Sequence, residues 1–274
     1  MVFWARGRRT SAAASSSATP RAAVWLIGAA TAFSLLGDQT LYSTLPVFFD
    51  DLGLQPIEVG IILSANRWVR MGTNELAHRL QGVGDDRLLF VAAVTLGAVT
   101  TAVYATTPGF AVFVAARLAW GLCWSFIRHL GVLSVMAVTP ADRAGHAAGR
   151  LGGISRAGSV GGLLGGALLV DHYGFGQALL LLAALSALAI PLALAGFAPA
   201  RPRPDVATPD SGRGLAVGAL GFANGIVGPG LVMATLGAVL DEQLGAGGLL
   251  SAASLTGAIL AARFVLESGA AARL

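Results

Sequence analysis

Apolar positions in this chain come in long blocks, and polar or Gly/Pro clusters are confined between them. Breaking the chain at those clusters leaves eight blocks, roughly at 22–48, 57–77, 87–106, 109–137, 144–170, 175–197, 214–239 and 247–266. A helix crossing a bilayer needs about 20 predominantly apolar residues, so each block is predicted to be a membrane-spanning helix. Residues 1–21, "MVFWARGRRTSAAASSSATPR", are basic and Ser/Ala-rich, and predict a disordered cytoplasmic tail. The apolar run after them is too long for a cleaved leader and recurs down the chain. The expected organisation is a six-helix bundle over 22–197, a cytoplasmic linker over 198–213, and two further helices over 214–274.

The charges between the blocks orient them. With the N-terminus inside, the cytoplasmic segments hold Arg6, Arg8, Arg9 and Arg21, then Arg79 and Arg87, then Arg143 and Arg150, then Arg201, Arg203 and Arg213, and finally Arg273. The opposite loops, "FDDLGLQPIE", "TTPG", "DHYGFGQ" and "DEQLGAGG", hold no Arg. This asymmetry is the positive-inside pattern, and a wrong span count would scramble it.

Composition agrees with lipid as the main solvent. Hydrophobic residues make up 55% of the 274 and charged ones 12%, about half the charge of a typical globular domain, and the mean hydropathy is +0.73. All 18 Lys+Arg residues are Arg, which fits a GC-rich bacterial genome. The arginines are scattered among apolar segments with no basic face carrying interleaved aromatics, which argues against nucleic-acid binding. Cys123 is the single cysteine, and His78, His129, His146 and His172 lie far apart. Neither a disulfide, a metal site nor a cofactor is expected.

The chain also repeats itself. When "GDQTLYSTLPVFFDDLG" is set above "GPGLVMATLGAVLDEQLG", Gly37 falls on Gly228, Thr44 on Thr235, Leu45 on Leu236, Asp50 on Asp241 and Asp51 on Glu242. One inserted residue later Gly53 meets Gly245, and farther on Glu75 aligns with Glu267. Spans seven and eight therefore read as the start of a second, parallel copy of the first six.

Four stretches carry a family resemblance. "NELAHRLQGVGDDR" after span two resembles the signature G-x-L-A-D-R-x-G-R-[KR], with Leu76, Ala77 and Arg79 kept, Asn74 in place of the Gly and His78 in place of the Asp. "RLAWGLCWS" in span four resembles R-x-x-Q-G-x-G, keeping Arg117 and Gly121. "PADRAGHAAGRLGGISRAGSVGGLLGGALLVDHYG" resembles the loop into span five and that span, with "AGSVGG" where many antiporters have G-P-x-x-G-G. With these motifs the chain resembles the major facilitator superfamily over essentially its whole length. The resemblance implies an all-α polytopic bundle with a complete six-span N-terminal half and the first two spans of a second half. It implies a secondary transporter moving a small solute across a bacterial inner membrane by alternating access, with the lipid bilayer, the solute and protons as partners. The family has twelve spans. An end after the eighth implies a truncated chain, completed by missing spans or by another copy, or a truncated or degenerate membrane protein without transport.

In the resembled fold spans one, four and seven line a central cavity, while spans three and six face lipid. The charges follow this division, because past Arg87 spans three and six hold none. In span one Thr31, Ser34, Asp38 and Tyr42 share a face, with Gln39 beside them. A carboxylate in hydrocarbon costs several kcal/mol and so faces a bundle interior or a water-filled cavity. In span four Arg117, Gly121, Trp124 and Arg128 form a second stripe. Asp38 and Arg117 are both near mid-membrane by residue count and are expected to face one cavity, either as a coupling or substrate-contacting pair or as a structural lock. In span two Ser64, Arg67, Asn74 and His78 lie on one side. Arg67 is a candidate for an anionic substrate group, and the resemblance makes Arg70, Glu75 and Arg79 candidates for a cytoplasmic gate. Span five places Gly149, Gly153, Gly161 and Gly165 at four-residue spacing as a helix-packing strip, while its Arg156 is expected to point at the cavity. Gly228-Pro229-Gly230 predicts a kink in span seven, with Asn224 a candidate contact one turn before it. A membrane-embedded enzyme would need clustered carboxylates, His or a nucleophile at catalytic spacing, and the sequence has none.

Overall fold

The computed structural model describes residues 19–107, 109–199, 232–244 and 251–271, and every regular element among them is helical. Helix α1 spans Pro20–Phe48, α2 Pro56–Leu80, α3 Asp86–Ala105 and α4 Phe110–Val138. A short 3₁₀ turn, Ala141–Arg143, leads into α5 (Ala144–Val160), which runs through a π-helical turn, Gly161–Gly165, into α6 (Gly166–Tyr173). Then come α7 (Phe175–Ala187), α8 (Ala189–Gly196), α9 (Val232–Leu244) and α10 (Ala252–Ala271).

Local chemistry sets the boundaries. Thr19 caps α1, its hydroxyl accepting from the Ala22 amide at 3.4 Å, with Pro20 at the first helical position. At the start of α2 the Gln55 amide donates to the Glu58 carboxylate at 2.8 Å. Asp85 caps α3 by accepting from the Arg87 amide at 2.9 Å. Gly174, at φ +80°, makes the left-handed turn from α6 into α7 that a side chain would strain. Residues 175–196 form two helices because Pro191 has no N–H for the carbonyl four residues earlier, that of Ala187, where α7 ends.

Among the described residues five helical stretches are long and apolar enough to cross a membrane: Arg21–Phe48, Asp86–Ala105, Phe110–Val138, Ala141–Tyr173 and Phe175–Gly196. The chain is thus a multi-pass membrane protein. The expected second span is a helix of sufficient length, but Arg67, Arg70, Glu75 and Arg79 keep it outside that group. The apolar part of α10 is short, Ala252–Leu266, and of span seven only α9 lies within the described residues.

Helix α1 is the central element. It packs against α5, the π-helical turn, α7, α8, α9 and α10, while α2 and α3 both lie along α4. Leucines 180, 181, 185 and 188 of the sixth apolar block face outward, as a lipid-facing surface requires. Inside are two apolar clusters. One includes Ile27, Leu35, Phe90, Trp120 and Ile127, and the other Leu41, Leu45, Ile62, Phe113 and Leu163.

The glycine seam between α5 and α1 differs from the expected strip. A Cβ on Gly158 would run into the backbone of Ala32, one on Gly162 would stand 2.5 Å from the Leu36 carbonyl oxygen, and one on Gly166 would strike Thr40. Of the expected strip, Gly149, Gly153 and Gly165 have nothing within 4 Å, and Gly161 reaches only a Leu36 methyl at 3.4 Å. Both strips have the same helical period, so spacing alone cannot choose between them. The choice follows from α1, whose Thr40 and Ser43 hydroxyls donate to the carbonyls of Gly162 and Leu163, each at 2.9 Å.

Candidate functional site

The helices bring the charged residues together between the two apolar clusters. Asp38 follows Leu35 of one cluster and precedes Leu41 of the other, and on α4 Arg117 lies between Phe113 and Trp120. Gly121 lets α2 close onto this part of α4, because a Cβ there would stand 2.7 Å from the Asn66 carbonyl oxygen. The result is a buried ion pair in which the side chains of Arg117 and Asp38 are 0% and 4% exposed.

Every arm of the pair has a partner. Arg117 Nη1 donates to Asp38 Oδ1, Nη2 donates to the Tyr42 hydroxyl at 2.9 Å, and Nε donates to the Ile62 carbonyl at 3.2 Å. Asp38 Oδ1 also accepts from Asn66 Nδ2 at 3.3 Å, and Oδ2 from Gln39 Nε2 at 2.9 Å. The Arg117 guanidinium lies 5.1 Å from the centre of the Tyr42 ring and that of Arg67 lies 5.6 Å from it, both within cation–π range. Desolvating two ions costs several kcal/mol each, and such a pair is sustained only when its remaining hydrogen-bonding capacity is met. Here the network meets it.

A cavity of about 260 Å³ opens beside the pair. Of the residues expected to face it, Asp38, Gln39, Tyr42, Arg67, Trp124 and Arg156 line it. Arg117 is buried behind them and reaches the cavity only through Asp38 and Tyr42. Arg128 is exposed, off the site. Asn224 and the Gly228-Pro229-Gly230 kink lie outside the described residues.

Two arrangements differ from expectation. Arg70 lines the cavity, its Nε donating to the Asn66 carbonyl at 3.1 Å. The structure does not bring it to Glu75, which pairs with Arg79 at 2.7 Å on the exposed last turns of α2. The arginine stem turns back along its own helix toward the polar centre instead of outward. The polar face of α2 is also rotated from the expected one. Asn66 is buried at the centre of the network, whereas Asn74 and His78 are exposed. Sequence reasoning missed Asn66, although it precedes Arg67 and stands four residues before Arg70. Trp120, Ser155, Ser159 and Phe264 also line the cavity, and Phe264 is the contribution of α10.

Among the described residues no three of His, Cys, Asp and Glu gather as metal ligands. The arrangement offers instead a carboxylate reachable from a cavity on one side and neutralised by a guanidinium on the other, with three further arginines around the opening.

A family profile described as the Major Facilitator Superfamily matches residues 27–273. No curated protein matches the chain. The match takes in every described helix from the first turns of α1 onward, and with the all-helical, membrane-spanning architecture it identifies the chain as a member of the Major Facilitator Superfamily, a family of secondary transporters.

Proposed function

We propose that the chain moves a small solute across a bacterial inner membrane by alternating access, and that Asp38 couples the movement to protons. The observation that carries this reading is the placement of Asp38, which forms part of the cavity wall and at the same time holds Arg117 and Asn66. Protonating Asp38 removes the counter-ion of Arg117 inside a low-dielectric bundle. The guanidinium must then find new partners, and α1, α2 and α4 meet at that point. A proton taken up from the cavity is thereby converted into a change in helix packing.

The arginines at the opening favour a solute with an anionic group, Arg67 and Arg156 being its first contacts and Trp124 a flat apolar wall. Glu75 and Arg79, exposed at the end of α2, are available to latch against a second half. The open strip of Gly149 and Gly153 on α5 gives a smooth surface for that half to rock on. The six helical blocks over 22–197, the linker 198–213 and the helices over 214–274 form the organisation in which this movement is read, with the N-terminus in the cytoplasm.

The experiment is solute-driven proton flux in proteoliposomes holding the purified chain and a lumenal pH dye, screened with organic anions, zwitterions and cationic drugs. Flux should be lost in Asp38→Asn and partly kept in Asp38→Glu, which retains a titratable group, with both variants eluting as folded monodisperse protein. Undiminished flux in Asp38→Asn would remove the coupling role, and no flux with any solute would favour a membrane protein that does not transport.

A further inference from the structure

A second pocket lies at the end of the bundle where α1 and α5 begin, far along α1 from Asp38. It has a volume of about 560 Å³, and Thr19, Arg21, Thr139, Arg143, His146 and Arg150 are among its lining residues. No carboxylate lines it. The acid nearest in sequence, Asp142, reaches Arg143 only at 3.8 Å, with both side chains about three-quarters exposed (74% and 78%). A contact so open to water contributes little to neutralisation.

Backbone electrostatics add to the same sign. Helices α1 and α5 both start at this pocket; α1 has no acidic residue in its first turn, and α5, entered through the 3₁₀ turn that holds the exposed Asp142, has no side-chain cap. The N-terminus of a helix carries roughly half a positive charge and normally attracts acids. Here arginines occupy those positions on two helices at once. Arg150 is also held in place, its Nη2 donating to His146 Nε2 at 3.2 Å one turn away. Three guanidiniums and two helix N-termini around one hollow make a receptor for a phosphate-type anion, which guanidinium groups bind through paired N–H donors.

The depth of the pocket identifies the source of that anion. Arg21 is the first residue of the membrane-spanning stretch of α1, and Trp25, one turn on, is 54% exposed. An exposed Trp at the end of an apolar helix marks the headgroup layer of a bilayer. We propose that this pocket binds the phosphodiester headgroup of an anionic phospholipid and ties the α4–α5 junction to the start of α1 at the membrane surface.

The test uses the full chain in nanodiscs of phosphatidylcholine with added phosphatidylglycerol, and reads retained lipid by native mass spectrometry after release into detergent. Wild type should keep phosphatidylglycerol. The double variant Arg143→Gln/Arg150→Gln should hold it about 25-fold more weakly, at roughly fivefold per arginine near an anionic surface. Arg79→Gln, which removes an exposed arginine outside the pocket, should retain the lipid like wild type. Inorganic phosphate should not displace it. Equal retention by wild type and the double variant overturns the site, as does equal loss in Arg79→Gln. Displacement by inorganic phosphate overturns the lipid assignment in favour of a soluble phosphate.

Discussion

The Arg117 guanidinium on α4 donates to the Asp38 carboxylate on α1, and neither side chain has appreciable contact with solvent. They lie 79 positions apart in the chain, and beside Arg117 the close approach of α2 to α4 is made at Gly121.

Breaking this pair from either side leaves an uncompensated charge in the bundle interior. Arg117→Ala should lower stability by about 3–5 kcal/mol, read as a large fall in the unfolding temperature of the purified protein in detergent. The double variant Arg117→Met/Asp38→Leu should recover much of that loss, since it removes both charges together. A double variant less stable than either single one would show that the pair is not the source of the effect.

The seam along α5 and the π-helical turn discriminates between glycines. Gly162→Ala pushes a methyl against the Leu36 backbone and should cost about 1–3 kcal/mol. Gly153→Ala meets nothing within 4 Å and should be neutral or slightly stabilising. Thermal unfolding of the two variants side by side checks the contrast.

At the opposite end of the bundle from the arginine pocket, Asp171 on α6 accepts from the hydroxyls of Ser251, at 2.5 Å, and Ser254. This cluster fastens the first turn of α10 to α6. Asp171→Ala should speed amide exchange in that turn several-fold while leaving α1 and α4 unchanged, and hydrogen–deuterium exchange with mass spectrometry reads both. Asp171→Asn keeps an acceptor and should show a smaller effect.

Cys123 is 1% exposed and belongs to the apolar cluster of Trp120 and Ile127. A buried thiol in apolar surroundings is inert, so maleimide should label the native protein negligibly and the denatured protein fully. Rapid labelling in the native state would mean that this part of α4 opens to solvent.

The sequence made the ion pair and its cavity legible because a carboxylate and an arginine inside apolar blocks have few places to go. Asp38, Tyr42 and Trp124 could be assigned from a helical stripe of polar and aromatic positions, although α1 also carries Thr40 and Ser43 toward the π-helical turn and the α4 stripe runs on to Arg128, which lies off the site. Helix α2 resisted this treatment. It carries polar residues on several faces, so a face drawn through Ser64, Asn74 and His78 looked as good as the one through Asn66 and Arg70. Arg70 was likewise grouped with Glu75 through their positions in a resembled motif, yet a long flexible side chain can turn toward either end of its helix. The glycine run of α5 fixed that a close approach exists but not which strip makes it, because that depends on hydroxyls of α1 more than a hundred residues away in sequence.

The π-helical turn Gly161–Gly165 is where this last dependence matters most. Its carbonyls at Gly162 and Leu163 accept hydroxyl protons from α1, and the Leu163 backbone also abuts Gly257 of α10. A bend in a lipid-immersed helix ordinarily bares peptide oxygens that nothing in hydrocarbon can solvate. Here the solvation is supplied in advance by Thr40 and Ser43, so the helical stretch Ala141–Tyr173 can flex at this one point without that penalty, and the flexing point lies against both α1 and α10.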